Sequence, residues 1–233
     1  RWQKTLMAFL DRFAVLLLDM NGTFMFGHDR FGSDQDYFAT YNALGGSRLN
    51  RDQLLPVFSK SLAALTDIYN DPARFDDFPT LAEVFSQNGA PEDDLPILER
   101  VFAAHEIGDV PQLHADFIRR VASTHALGVV SNICSHPSLW LARHPSAAVF
   151  AAFRTLVFSS EGRSVKPSSV LLDRALAQFP SEGPILFIGD DLERDILPAK
   201  ARGLSTAWIA PPGSIHPAAD RIVELLPELA SAT

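Results

Sequence analysis

Near the N-terminus the sequence reads Ala14-Val15-Leu16-Leu17-Leu18-Asp19-Met20-Asn21-Gly22-Thr23. A short, continuous apolar run with branched side chains is typical of a strand that is buried on both faces of a parallel sheet. Such a strand brings Asp19 to the carboxyl edge of the sheet, where open α/β sheets bind ligands. The Asn21-Gly22 pair predicts a tight turn that returns Thr23 toward Asp19, because both residues tolerate positive φ. Taken by itself, the stretch is equally compatible with a purely structural role, in which Asp19 only caps the strand end and Asn21-Gly22 only forms a loop.

The segments around this stretch alternate between helical and strand patterns. Before it, residues 2–12 predict a short helix. Toward the C-terminus the pattern predicts strands at 126–132, 155–158, 184–191 and 205–209, helices at 111–123, 138–150, 168–179, 191–202 and 215–231, and a polar loop at 159–164. This alternation predicts an α/β fold with a doubly wound, Rossmann-like parallel sheet.

A block without strand patterns separates the first strand from the others. Its helical patterns lie at 34–44, 51–69, 80–88 and 92–106, and they predict a small helical bundle inserted into the sheet domain. We therefore predict a discontinuous core domain, residues 1–27 and 109–233, and a helical domain, residues 28–108. The aromatic and glycine-containing segment 24–32 is interpreted as a flap over the end of the first strand.

Composition excludes several classes of protein. The chain has 233 residues, which suits one domain with an insertion, and its net charge of −8 argues against nucleic-acid binding. No apolar run approaches the roughly 20 residues that span a bilayer, so we expect no membrane partner. The single cysteine, Cys134, excludes an internal disulfide framework. The N-terminus has no signal-peptide pattern, and we expect a cytoplasmic protein.

Four strand ends or loops carry reactive side chains. They are Asp19 with Thr23, Ser131 with Asn132, Lys166, and Asp190 with Asp195. In a parallel sheet all four would lie at the same edge. Carboxylates and an ammonium group around a hydroxyl suit a site for Mg²⁺ and a phosphoryl group, because Mg²⁺ prefers oxygen ligands and the cations offset the phosphate charge.

This set of motifs resembles the haloacid dehalogenase (HAD) superfamily, which is dominated by Mg²⁺-dependent phosphatases that form an aspartyl-phosphate. The family's motifs are matched in order by 19–23 (Asp-x-Asp-Gly-Thr, with one change), 129–132 (a strand ending in Ser), 166–167 (Lys-Pro) and 189–195 (Gly-Asp and a later Asp). The resemblance spans the chain. It implies that the helical insertion is a C1 cap, as in haloacid dehalogenase-like and phosphoglycolate phosphatase-like members.

The resemblance also implies a role for each matched residue. Asp19 would be the nucleophile and a metal ligand, and the backbone carbonyl of Asn21 and the carboxylate of Asp190 would complete the ligand set. Asp195 would bind the metal through water or orient Lys166, which would neutralise the charge shared by Asp19 and the phosphate. Phosphate oxygens would be bound by three residues, Thr23, Ser131 and Asn132.

One position departs from the family pattern. Phosphatases of the family carry at position 21 a second Asp that protonates the leaving group and later activates water against the phospho-enzyme, and the amide of Asn21 can do neither. Losing a general acid–base group costs about 10²–10⁴ in rate. The substrate could then be an acyl phosphate, whose leaving group needs no proton. Alternatively His28, Asp29 or a cap side chain could replace the missing acid, or the protein could bind phosphate compounds with little turnover.

These observations give one leading hypothesis and two alternatives. The leading hypothesis is a Mg²⁺-dependent hydrolase that acts on a small phosphorylated metabolite, as a monomer or homodimer. The first alternative is a phosphate-binding protein with little or no catalysis. The second is a 2-haloacid dehalogenase, because a halide leaves without a proton; its chemistry, however, does not require the cation that Asp190 and Asp195 predict.

Overall fold

A computed structural model describes residues 9–181 and 183–230. Its centre is a sheet of six strands with the order β3-β2-β1-β4-β5-β6, in which every neighbouring pair is parallel. The strands are β1 (Val15–Leu18), β2 (Ala126–Ser131), β3 (Thr155–Phe158), β4 (Ile185–Gly189), β5 (Ser205–Ile209) and β6 (Arg221–Val223). The predicted doubly wound, Rossmann-like α/β fold is confirmed.

Strand β1 lies in the middle of the sheet and is inaccessible to solvent on both faces. All four of its side chains are completely buried. Leu16 and Leu18 pack into a hydrophobic cluster on one face, while Val15 and Leu17 pack into a cluster on the other. This explains why β1 is a continuous apolar run, since neither face offers a position to a polar side chain.

Helices cover both faces of the sheet. The core helices are α5 (Gln112–Val121), α6 (Ala147–Phe150), α7 (Ser159–Gly162), α8 (Ser169–Leu176) and α9 (Leu197–Ala201). Phe117 of α5 and Phe150 of α6 pack with Leu18 on one face. Leu171 of α8 and Ala199 of α9 pack with Leu17 on the other. Together the two clusters keep the sheet edge that follows β1 in a fixed position.

Four helices lie between β1 and β2 and share their own hydrophobic cluster. They are α1 (Tyr37–Ala43), α2 (Arg51–Tyr69), α3 (Leu81–Gln87) and α4 (Leu95–Glu106). Phe58 and Phe102 are at the centre of this cluster. Helix α3 begins at a capping box, in which Thr80 and Glu83 accept each other's backbone N–H groups. The helical nature of the insertion is confirmed, whereas the domain boundaries at 27/28 and 108/109 stay predictions.

Three predicted helices of the core are wrong in part or in full. Residues 138–150 form two 3₁₀ turns (Pro137–Leu139 and Leu141–Arg143) and the short α6, because His144, before Pro145, is extended. Residues 215–231 contain β6, which pairs with β5, and a 3₁₀ turn at Leu226–Ala230. Residues 191–202 divide into a π turn (Leu192–Ile196) and α9. Pro198 therefore falls in the first turn of α9, where a backbone N–H would have no partner within the helix and its absence costs no hydrogen bond.

Two smaller differences concern the ends of the core. Residues 159–162, predicted as part of a loop, form the helical turn α7. Of the predicted helix 2–12, residues 9–12 form a 3₁₀ turn, and residues 2–8 lie outside the described part of the chain. Within residues 9–181 and 183–230, no helix combines the length and apolar character that crossing a bilayer requires.

Candidate active site

Three neighbouring strands deliver polar side chains to one edge of the sheet. Asp19 directly follows β1, Ser131 is the last residue of β2, and Asp190 directly follows β4. The strand register aligns Leu18 with Val129 of β2 and with Ile188 of β4, so the three ends are level. The chain direction across the sheet reverses beside β1, and ligands bind at such switch points in open α/β sheets.

The turn after Asp19 allows the first and fourth strand ends to approach closely. Gly22 has a φ of +77°, which L-residues rarely adopt. A Cβ atom on Gly22 would lie 2.1 Å from Oδ2 of Asp190, so only glycine leaves room for this carboxylate. The Asn-Gly pair in the sequence therefore serves the site itself as well as the turn.

Lys166 connects two buried carboxylates. Its Nζ atom lies 2.5 Å from Oδ1 of Asp19 and 2.6 Å from Oδ1 of Asp195. The hydroxyl of Ser131 donates a hydrogen bond of 2.9 Å to the same Asp19 oxygen. Lys166, Asp19 and Asp195 are only 6%, 5% and 2% exposed. Buried charges of this kind require paired partners, and here two carboxylates share one ammonium group.

The crowding of carboxylates shifts the ionisation of the cluster. Burial raises the pKa of Asp195 to about 7 against the opposing effect of Lys166. Burial, together with the charge of Asp19, also raises the pKa of Asp190 to about 7, although part of this side chain is open to solvent. Burial by itself would lower the pKa of Lys166, but Asp19 and Asp195 outweigh it and raise that pKa above its usual value. The ammonium group is therefore charged at neutral pH.

A second set of contacts fixes the loop that carries Lys166. The amide of Asn132 accepts the backbone N–H of Lys166 at 2.7 Å and donates to its carbonyl at 3.1 Å. Arg194 donates to the same carbonyl at 2.7 Å, and its guanidinium lies 3.9 Å from the ring centroid of Tyr69. Asn132 also donates to the Tyr69 hydroxyl at 3.1 Å. Asn132, which we predicted to bind phosphate, thus also positions Lys166.

Most of the predicted site residues line one cavity of about 190 Å³. Its walls include Asp19, Asn21, His28, Asp29, Tyr69, Ser131, Asn132, Lys166, Asp190, Asp191, Arg194 and Asp195. Thr23 is an exception, because it is fully buried, does not line the cavity, and its hydroxyl has no partner. His28 lies in the cavity wall, with Nε2 3.8 Å from Oδ2 of Asp29.

Sequence reasoning missed Arg194, Tyr69 and Asp191. Arg194 stands inside the motif that contains Asp190 and Asp195, so its proximity could have been inferred. Asp191 caps the π turn by accepting the N–H groups of Glu193 and Arg194. Tyr69 ends α2, and the sequence carries no sign that this helix end reaches the sheet edge.

The acidic cluster fits a divalent cation. Asp19, Asp190 and Asp195 each offer an oxygen atom, and these three atoms lie within 4.8 Å of one another. The side-chain oxygen of Asn21, in the same cavity, is buried without a hydrogen-bond partner. Hard oxygen donors are the ligands that Mg²⁺ prefers. Lys166 and the Asp191 backbone N–H each donate to Asp195, so this residue has a further role in orienting Lys166.

Comparison with known proteins supports the fold. Residues 165–221, which contain Lys166, Asp190 and Asp195, match the family model described as HAD-hydrolase-like. No curated protein matches the sequence at a significant level.

Solved structures resemble the chain along almost its whole length. A 2-haloacid dehalogenase from Pseudomonas syringae has a TM-score of 0.60 at 16% identity and covers 93% of this chain and 96% of its own. A putative HAD-hydrolase from Bacillus subtilis, bound to magnesium, has a TM-score of 0.57 at 18% identity and covers 94% of this chain and 97% of its own. A HAD phosphatase from Thermococcus onnurineus has a TM-score of 0.56 at 20% identity and covers 92% of this chain and 95% of its own. The chain therefore shares its fold with these proteins, and its segment 165–221 is similar to the HAD-hydrolase-like family.

Proposed function

We propose that the protein is a Mg²⁺-dependent phosphohydrolase that acts on a small phosphorylated metabolite through a phosphoryl-aspartate at Asp19. The observation that carries this proposal is the buried cluster at the carboxyl edge of the sheet. In it, Lys166 contacts Asp19 and Asp195, while Asp190 places a further carboxylate within 4.8 Å. Such a cluster is unfavourable as a purely structural core and favourable around a cation and a phosphoryl group.

In the proposed reaction an Asp19 oxygen forms a bond to phosphorus while the bond from phosphorus to the leaving oxygen breaks. Ser131 and Lys166 fix the Asp19 carboxylate, and the Lys166 ammonium offsets the repulsion between that carboxylate and the anionic phosphoryl group. Mg²⁺ bound by Asp19, Asp190 and Asn21 would supply further positive charge at the phosphoryl oxygens. Water then attacks phosphorus and the bond from phosphorus to the Asp19 oxygen breaks, so that the protons of the water leave with the released phosphate and Asp19 is regenerated as a carboxylate.

Asn21 limits which leaving groups are efficient. Because an amide donates no proton at neutral pH, an alkoxide would have to leave unprotonated unless another side chain acts as acid. An acyl phosphate avoids this requirement, since its carboxylate leaving group has a pKa of about 4–5. His28, in the wall of the same cavity, is the side chain best placed to act as an acid, with Asp29 beside it.

Two alternative functions depend on the same residue. Asn21 is compatible with haloacid dehalogenation, and four similar structures are named as dehalogenases, two of them as 2-haloacid dehalogenases. The acidic cluster favours the phosphatase proposal, because displacement of a halide from carbon requires no cation. A phosphate-binding protein without turnover is the remaining alternative.

The test is phosphate release from acetyl phosphate and from glycerol 3-phosphate, with Mg²⁺ or with a chelator. We expect Mg²⁺-dependent hydrolysis of acetyl phosphate and its loss in Asp19→Asn. Asn21→Asp should raise the rate on glycerol 3-phosphate by about 10²–10⁴, because it restores a proton donor. Phosphate binding without release by either protein would favour the non-catalytic role, and chloride release from 2-chloropropionate would favour dehalogenation.

A further inference from the structure

A second cavity lies next to the acidic one, between the inserted helices and the sheet edge. It has a volume of about 210 Å³. Most of its wall is apolar, formed by Phe31, Leu62, Leu65, Phe78, Phe102 and Cys134. Leu62 and Leu65 project from α2 and Phe102 from α4, so the inserted helices supply much of this wall.

The two cavities share part of their walls. Asp29, Tyr69 and Asn132 line both of them. The hydrogen bond from Asn132 to the Tyr69 hydroxyl therefore marks the boundary between the two cavities. Asn132 also donates to the backbone carbonyl of Lys166, so this boundary lies beside Lys166. A molecule with its phosphoryl group at Asp19 would extend past these residues into the apolar cavity.

We infer that the leaving group of the substrate is compact and apolar, of about the size of a benzene ring, and that it binds in this second cavity. This inference rests on the proposed function and names the substrate class of the same site. An apolar cavity of about 150 Å³ accommodates benzene, so 210 Å³ accepts one ring with a linking atom or a short branched chain.

The charges around the cavity disfavour a leaving group that carries a free carboxylate in addition to the acyl group bonded to the phosphate. Asp29 and Glu106 are the charged residues in its wall, and among its lining residues there is no lysine or arginine. Both carboxylate oxygens of Glu106 accept backbone N–H groups, from Cys134 at 2.7 Å and from Ser135 at 2.8 Å. A second carboxylate on the substrate would find no cationic partner here, and the burial cost would oppose its binding.

A matched pair of substrates tests the inference. Benzoyl phosphate and acetyl phosphate both release a carboxylate that needs no proton, so they differ mainly in the apolar ring. We expect kcat/KM for benzoyl phosphate to exceed that for acetyl phosphate by about 10- to 100-fold, the usual effect of burying one ring. Equal values with the two substrates would overturn the inference and leave the proposed hydrolysis standing.

Variants in α2 show whether the effect arises in this cavity. Leu62 lines it and is half-buried, while Leu55, on the same helix and equally half-buried, packs against the same cluster without lining it. Leu62→Asp should abolish the preference for benzoyl phosphate and leave acetyl phosphate hydrolysis within about threefold. Leu55→Asp should leave the preference unchanged. Loss of the preference in both variants, or in neither, would contradict the assignment.

A binding measurement decides the question if neither substrate is hydrolysed. In that case the proposed function fails, and calorimetry with phenylphosphonate and methylphosphonate tests the cavity alone. Phenylphosphonate that binds at least tenfold more tightly, with the difference lost in Leu62→Asp, would support the apolar subsite. Equal binding of the two phosphonates, or binding of neither, would overturn it.

Discussion

Replacing Lys166 by methionine tests the charge cluster without any knowledge of the substrate. Lys166 is 6% exposed and pairs with Asp19 at 2.5 Å and Asp195 at 2.6 Å. Methionine fills much of the same volume but leaves two buried carboxylates without their cation. Breaking a buried ion pair by removing one partner costs about 3–5 kcal/mol. We expect the free energy of unfolding of Lys166→Met to be lower than that of the wild type by about this amount near pH 8, where carboxylates are ionised.

The loss should depend on pH in a defined direction. In the variant, the pKa of Asp195, which burial already raises to about 7 in the wild type, would rise further because the Lys166 ammonium group no longer lowers it. A raised carboxyl pKa gives stability that is fully present below the unfolded value and is lost as the pH rises through the folded value. The difference between wild type and Lys166→Met should therefore be largest near pH 8 and smaller near pH 5.

Urea unfolding followed by circular dichroism measures the effect. At a slope of about 2–3 kcal/mol per molar urea, a loss of about 4 kcal/mol lowers the midpoint by about 1.5 M. Lys200→Met is the matched control, because Lys200 pairs with Asp220 at 2.6 Å but with side chains 37% and 35% exposed. Exposed pairs contribute about 0–1 kcal/mol. The reasoning would be refuted if both variants lost the same stability near pH 8.

Three further predictions concern the turn at Gly22, the buried carboxyl group of Glu106 and the N-terminal cap of α3. Gly22→Ala should reduce Mg²⁺ affinity in calorimetry at least tenfold while the protein stays folded, because its Cβ would displace the Asp190 carboxylate. Burial raises the pKa of Glu106 to about 7 from 4.5, which contributes a fall in stability of about 3 kcal/mol as the pH rises through that range. Asp190 and Asp195, whose pKa values are also raised to about 7, contribute to the same fall, so urea unfolding of Glu106→Gln should show a fall that is smaller than that of the wild type by about 3 kcal/mol. Thr80→Ala should cost about 1 kcal/mol of unfolding free energy by loss of the α3 cap, with unchanged Mg²⁺ affinity.

The parts of the site that sequence predicted are those encoded locally. β1 is completely buried, so its apolar run and the following Asp19 leave few alternatives for its place in the sheet. The turn at Gly22 and the Lys166 position follow from short motifs. These segments need no knowledge of distant contacts, because their residue types are restricted by burial, by positive φ or by charge.

The parts that sequence did not predict depend on contacts between distant segments. Arg221–Val223 becomes a strand only because the edge of β5 offers it hydrogen-bond partners. Tyr69 reaches the site because α2 packs over the sheet edge, where Arg194 lies against its ring. The apolar cavity beside the site likewise requires side chains from α2, α4 and the flap to converge, and no single segment encodes that convergence.

The proposed reaction requires that Asp19 itself accepts the phosphoryl group. The most direct measurement is to mix the protein with acetyl phosphate and Mg²⁺, quench it in acid within one turnover, and locate the added phosphoryl mass by peptide mapping. The account predicts a phosphorylated peptide that contains Asp19, formed only with Mg²⁺ and absent in Asp19→Asn. Release of phosphate without modification of that peptide, or modification of another residue, would contradict it.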